Sequence, residues 1–151
     1  MYRTLCFLVF SFSLSLAGNP AQASEISGFW KTDRGAIIYI KECGSALCGH
    51  LRSFHPPKGF AEHTVLDQKN EDISKRGRRV LGLMILWDLR PIGDNKWHGL
   101  GYDPRHGVEA MVELQLVSNN TIKMTGCKKI VVSLCENAQW QRQQQKAQKQ
   151  N

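Results

Sequence analysis

Apolar and polar residues alternate along most of the chain between positions 28 and 142. Ala110, Val112, Leu114 and Leu116 fall on one side of an extended segment, while Glu109, Glu113 and Gln115 fall on the other. That period of two belongs to a strand with one buried face. Ile122 and Met124 alternate with Thr121, Lys123 and Thr125 in the same way, and Ser118-Asn119-Asn120 between the two runs supplies a hairpin turn, since Asn tolerates positive φ. Asp103-Pro104-Arg105-His106-Gly107 reads as a second turn, joining a strand at 96–102 to one at 108–117. Further strands are expected at 28–32, 36–42, 47–53, 80–86 and 132–141. The sum is about eight short strands at turn-marked intervals. This predicts an all-β fold, a single antiparallel β-barrel or sandwich, and a closed barrel has the advantage of leaving no unpaired edge.

Three stretches break the pattern. Residues 54–79 are long for a hairpin connection, with Pro56-Pro57, several charges and weak apolar content, and a short helix is expected around 61–72. Residues 143–151 are polar with no apolar face and read as a disordered tail. At the other end Met1-Tyr2-Arg3-Thr4 precedes an apolar run and Ala21-Gln22-Ala23. That is the layout of a cleaved secretory signal over 1–23, leaving a barrel domain over 24–142 and no transmembrane segment. A periplasmic or secreted location follows. The formal charge of +7 falls by one with Arg3, and a basic exported protein is suited to anionic surfaces as well as to plain solubility.

Export changes the reading of the cysteines. Cys6 leaves with the signal, so Cys43, Cys48, Cys127 and Cys135 remain, an even set that implies disulfides with three possible pairings. Local pairing is geometrically simple. If 44–47 forms a four-residue hairpin loop, Cys43 and Cys48 face each other across two strands, and Cys127 and Cys135 close the 128–134 turn similarly. As a redox pair or a zinc site the spacing is poor, even with His50 added, so no metal and no cofactor is expected.

Other chemistry is thinly signalled. No His-x3-His pair, nucleophile elbow, phosphate loop or dinucleotide fingerprint occurs. Asp67, Asp103 and His106 are the candidates for an acid–base group, should the fold unite them. Lys75-Arg76-Gly77-Arg78-Arg79 is the densest basic cluster, able to hold a phosphate or carboxylate or simply to face solvent. The absence of interleaved aromatics argues against nucleic acid. Trp30 in the opening Gly28-Phe29-Trp30 and Arg142 in the closing Trp140-Gln141-Arg142 resemble the first and last strands of lipocalin-like barrels, where the Arg packs across the Trp. Trp30, Trp140 and Arg142 are therefore structural candidates.

A set of markers extends this likeness to the whole span. They are Gly28-Phe29-Trp30, Glu42-Cys43-Gly44 with Leu47-Cys48-Gly49, Asp67-Gln68-Lys69-Asn70, Arg76-Gly77-Arg78 before Leu81-Gly82-Leu83, Trp97 with Gly99, Tyr102-Asp103-Pro104 before Gly107, Gly126-Cys127 and Trp140-Gln141-Arg142. In these the chain resembles the exported bacterial family catalogued as domain of unknown function 2147. The resemblance implies a small lipocalin-like barrel in the bacterial envelope and brings no catalytic residues. The chain departs from the family's pattern at Glu71 and Arg79, where prolines are usual, and at Val108-Glu109-Ala110, where an aromatic is common. The functional expectation is non-catalytic binding, by a monomer, of a small apolar, amphipathic or anionic ligand, or of an envelope component, at one barrel mouth. The long connection and the Asp103 turn form the candidate rim, with Asp67, Asn70, Arg76, Arg78, Tyr102 and Asp103 as ligand contacts. The alternatives are a hydrolase-like enzyme using the Asp/His group and an interaction module acting through its basic face.

Overall fold

The computed structural model describes residues 25–129 and 133–144. The signal segment and positions 145–151 of the expected tail lie outside the described residues. Eight antiparallel strands follow one another around a closed barrel: β1 (Gly28–Lys31), β2 (Ile37–Cys43), β3 (Ala46–Ser53), β4 (Met84–Gly93), β5 (Lys96–Asp103), β6 (Val108–Ser118), β7 (Thr121–Lys129) and β8 (Ser133–Gln143). Each strand pairs with the next, and β8 returns to β1 through Trp30↔Arg142. The fold class is the one that alternation predicts, because strands such as β2, β3 and β6 have one apolar face and closure leaves no strand an edge.

The inward positions form one apolar cluster, in which Trp30, Trp97, Ile40, Leu89, Leu114 and Ile122 are almost wholly buried. In β6, Val112, Leu114 and Leu116 face in. Because the chain runs up and down, its connections sort to two ends. One end carries the short turns β2–β3, β4–β5 and β6–β7, together with the segment entering β1. The other carries 32–36, the long connection 54–83 and the Asp103–Gly107 turn.

The short-turn end is sealed by the two termini of the barrel. The Arg142 guanidinium lies 4.2 Å from the Trp30 ring centroid and donates to the carbonyls of Ser27 (2.9 Å), Glu25 (2.5 Å) and Asn119 (2.5 Å). Trp30 Nε1 donates to Ile26 O at 2.8 Å, which holds the fully buried Ile26 against the core. Burial of this cation lowers its pKa, a cost that the ring face and three carbonyls offset.

Three expectations about the strands and the long connection need correction. The fourth strand runs Met84–Gly93, not 80–86. Gly82 adopts φ +87°, and Val80 instead donates to Val65 O, so 80–83 is a return turn. Within β4 a bulge at Asp88 (φ 52°) puts Leu86 and Leu89 both inside and breaks the alternation that would have revealed the strand. Gly99 fits this bulge because a Cβ there would stand 2.7 Å from Trp87 O and 2.8 Å from Asp88 O. The long connection holds no helix at 61–72, only one-turn 3-10 segments at Glu62–Thr64 and Ile73–Lys75. Gln143, placed in the tail by its composition, pairs with Phe29 as the last residue of β8.

The cysteines pair locally, Cys43 with Cys48 and Cys127 with Cys135. The second pair is directly opposed in register. The first is diagonal: a two-residue Gly44-Ser45 turn sets Cys43 against Ala46 and Cys48 against Lys41, with 5.7 Å between the cysteine Cα atoms.

Trp30 and Trp140 make unlike use of their indoles. Trp140 Nε1 is a buried donor with no hydrogen-bond partner among the described residues. Trp30→Phe therefore loses a hydrogen bond and much of the cation–π contact, about 3 kcal/mol, whereas Trp140→Phe removes an unsatisfied donor and costs about 1 kcal/mol. Urea midpoints at an unchanged m-value check that order.

Candidate functional site

Residues of the long connection are short of apolar side chains, so they are held to the barrel by polar contacts. The backbone first folds the connection on itself: Leu66 bridges Arg79, Asp67 N donates to Arg78 O at 3.0 Å, and Val80 N donates to Val65 O at 2.9 Å. Phe54 N is further tied to the Glu62 carboxylate. This brings Asp67, Asn70, Arg76 and Arg78 onto one side, against Tyr102 near the end of β5.

At the centre is Asp67, completely buried. Its Oδ1 accepts from Tyr102 Oη at 2.5 Å, and its Oδ2 accepts from Asn70 Nδ2 (2.9 Å) and from Arg78 Nε and a terminal nitrogen (2.9 and 2.8 Å). Asn70 Nδ2 also donates to Tyr102 Oη at 2.8 Å, so carboxylate, amide and phenol close a triangle. Asn70 is used completely: its Oδ1 accepts from Asp72 N (2.9 Å), its carbonyl from Arg76 Nε (2.7 Å), and its own N–H donates to Asp67 O (3.1 Å). The Arg78 guanidinium stands 5.4 Å from the Tyr102 ring centroid. Burial raises the Tyr102 pKa to about 12, helped by the hydrogen bond to Asp67 and by that carboxylate's charge.

The Asp103 turn docks on the same connection. Gly107 has φ +73°, and a Cβ there would stand 1.8 Å from Lys69 O, so only glycine allows the two segments to touch. Asp103 itself turns away. Its carboxylate accepts from Arg105 Nε and N (2.9 and 3.0 Å) and lies 2.8 Å from His106 Nδ1. Burial opposes ionisation of Asp103, but the hydrogen bonds from Arg105 and His106 outweigh it and hold the carboxyl below its usual range.

Of the residues proposed from sequence as ligand contacts, Asp67, Asn70, Arg76, Arg78 and Tyr102 are thus brought together, in a network that satisfies itself. Asp103 borders it with separate partners. The acid–base group of Asp67, Asp103 and His106 does not assemble: Asp67 spends both oxygens on the latch, and Asp103 and His106 form a surface pair.

Beside the latch lies an open cleft of about 270 Å³, walled by Asn70, Glu71, Asp72, Lys75, Tyr102, Gly107, Glu109 and Lys128. Both signs of charge line it, and Lys75 is 3.5 Å from Asp72. Sequence reasoning passed over Glu109 and Lys128, because strand registers and not spacing bring them to the rim. A second cleft, about 190 Å³, lies on the outer wall of β5–β7 at His98, Met111, Glu113 and Thr125. No helix among the described residues is long and apolar enough to cross a membrane.

A family model described as an uncharacterized protein conserved in bacteria, domain of unknown function 2147, matches residues 28–142. Among solved structures, protein HP1028 from the human pathogen Helicobacter pylori, described as belonging to the lipocalin family, superposes with a TM-score of 0.68 at 18% identity, covering 80% of this chain and 84% of that one. At that identity the likeness concerns the fold. Curated proteins offer no match.

The latch predicts a pH dependence. The folded Tyr102 pKa lies above its ordinary value of 10.0, so its contribution is complete below about pH 10 and is lost as pH rises through about 12. Tyr102→Phe, which strips Oδ1 of its donor, is expected to cost about 2–3 kcal/mol at pH 8. The gap between the two proteins should close toward pH 12 in urea unfolding, and the wild type should show one tyrosine titrating near there by tyrosinate absorbance.

Proposed function

The chain belongs to that bacterial family, and on this premise we propose that it is an exported, non-catalytic binding protein. Its ligand is a small amphipathic molecule with a zwitterionic head group, held at the long-connection end of the barrel. The single observation that carries this reading is the mixed-charge cleft beside the Asp67 latch, where Lys75 and Lys128 face an anionic group and Glu71 and Glu109 a cationic one. The interior supports the same choice. Trp30, Trp97, Leu89 and Leu114 occupy it as core, so a ligand finds recognition groups at the rim and not on the barrel axis. Asp67, Asn70, Arg78 and Tyr102 then serve binding by fixing the wall. The two disulfides and the signal-like start support a periplasmic or secreted location.

Native mass spectrometry of the protein as its host exports it tests for a co-purifying ligand. With that ligand in hand, the Glu109→Gln, Lys128→Gln double variant should bind at least tenfold more weakly with an unchanged melting temperature. Chemical-shift changes centred on Trp97 and Leu114, indifferent to the rim variant, would sink the proposal.

A second reading has its own support. The long connection exposes Phe60 (59%), Leu66 (39%) and Ile73 (75%) among Lys58, Lys69, Lys75 and Arg76, a composition suited to an anionic bilayer surface. Co-sedimentation with anionic vesicles should then fall as salt rises and weaken in Phe60→Ser, Ile73→Ser; equal binding to neutral vesicles argues against it.

A further inference from the structure

The β2–β3 hairpin brings together donor atoms whose sequence spacing is poor for a zinc site. Residues 48 and 50 stand two apart on β3 and therefore project from the same outer face, and the hairpin carries Cys43 beside them. Cys43 Sγ, Cys48 Sγ and one His50 ring nitrogen all lie within 4.8 Å of one another. His50 Nε2 stands 3.6 Å from Cys48 Sγ. Its other nitrogen, Nδ1, lies 3.3 Å from Gly82 O. Only a protonated nitrogen can bond a carbonyl, so Nδ1 carries the hydrogen and Nε2 turns its lone pair toward the sulfur. An imidazole oriented in this way by a backbone carbonyl is the arrangement found behind metal-ligating histidines. A structural disulfide has no need of it.

We propose that, in its dithiol form, this corner is a binding site for a thiophilic d10 metal ion, copper(I), held by Cys43 Sγ, Cys48 Sγ and His50 Nε2. Donors around one such ion stand about 4 Å apart; His50 Nε2 already lies 3.6 Å from Cys48 Sγ, and the two sulfurs, bonded to each other here, separate once the disulfide is reduced. Two thiolates and an imidazole complete a trigonal shell, which suits copper(I), whereas zinc requires a fourth ligand. The hairpin tip gives Cys43 room to move: Gly44 and Ser45 are exposed.

The site is gated by oxidation. A dithiol reductant passes two electrons and two protons to the Cys43–Cys48 bond, closing its own thiols to a disulfide, and copper(I) then displaces the two thiol protons. A disulfide oxidant then takes two electrons from the pair, becoming two thiols, and this rebuilds the Cys43–Cys48 bond, releases the copper(I) and leaves His50 as a lone, weak donor.

The test uses the whole protein with Cys127→Ser and Cys135→Ser, so that the second pair cannot contribute. After phosphine reduction, copper(I) is titrated in competition with bicinchoninate. One tightly held equivalent is expected, with His50→Ala weakening it about 10- to 100-fold and X-ray absorption reporting two sulfurs and one nitrogen. The same chain with its Cys43–Cys48 disulfide intact serves as a control that differs from the reduced sample in no residue, and it should hold no copper. Equal binding by the oxidised protein, an unchanged affinity in His50→Ala, or a preference for zinc over copper(I) would each overturn the assignment.

Discussion

The open end of this barrel depends on one buried carboxylate. Asp67 has no exposed surface, and a carboxylate without water must have its oxygens hydrogen-bonded or fold poorly. Tyr102, Asn70 and Arg78 meet that demand from two separate parts of the chain, so the requirement of a single side chain fixes a connection some thirty residues long. A connection with Pro56-Pro57 and alternating charges cannot bury enough apolar surface to hold itself, and directional polar bonds take over the work that core packing does elsewhere. Gly107 adds the complementary constraint, a close approach instead of a bond.

The two ends of the barrel solve the same problem with different chemistry. At the short-turn end, Arg142 lies on Trp30 and draws in the carbonyls of Ser27, Glu25 and Asn119, so chain entry and exit are joined over a purely apolar interior. At the other end, a charge is itself buried and neutralised from one side by Arg78, which stays partly exposed.

Much of the barrel was legible because alternation is a local signal. β6 and β7 could be read from Ala110–Leu116 and from Ile122 with Met124, and the Trp30–Arg142 closure from residue types at the two ends of the span. β4 was half-hidden: the Asp88 bulge places Leu86 and Leu89 on one face, which spoils the period of two that a reader counts. Five of the candidate ligand residues lie together, with Asp103 outside, and nothing in their order says that Asp67 spends its oxygens on Tyr102, Asn70 and Arg78. Satisfaction of a buried group is a three-dimensional property. The same holds for His50. Spacing rules for cysteine and histidine describe loops and helices, and they pass over a strand pair in which alternate residues share a face with a neighbour across the turn.

The long connection links these two regions mechanically. Its middle is fastened by Asp67, and its return is fastened at Gly82, whose N–H donates to Leu51 O while its carbonyl faces His50 Nδ1. If copper(I) binds Nε2 as proposed, it would withdraw electron density from the ring and strengthen the Nδ1–H bond to Gly82, which would stiffen the return of the connection. Coupling of that kind is reciprocal. A ligand that orders the rim would, through the same carbonyl, hold His50 in its metal-facing pose. The connection is thus the one segment that meets both the cysteine hairpin, through Gly82, and the mixed-charge cleft, through Asn70 and Lys75.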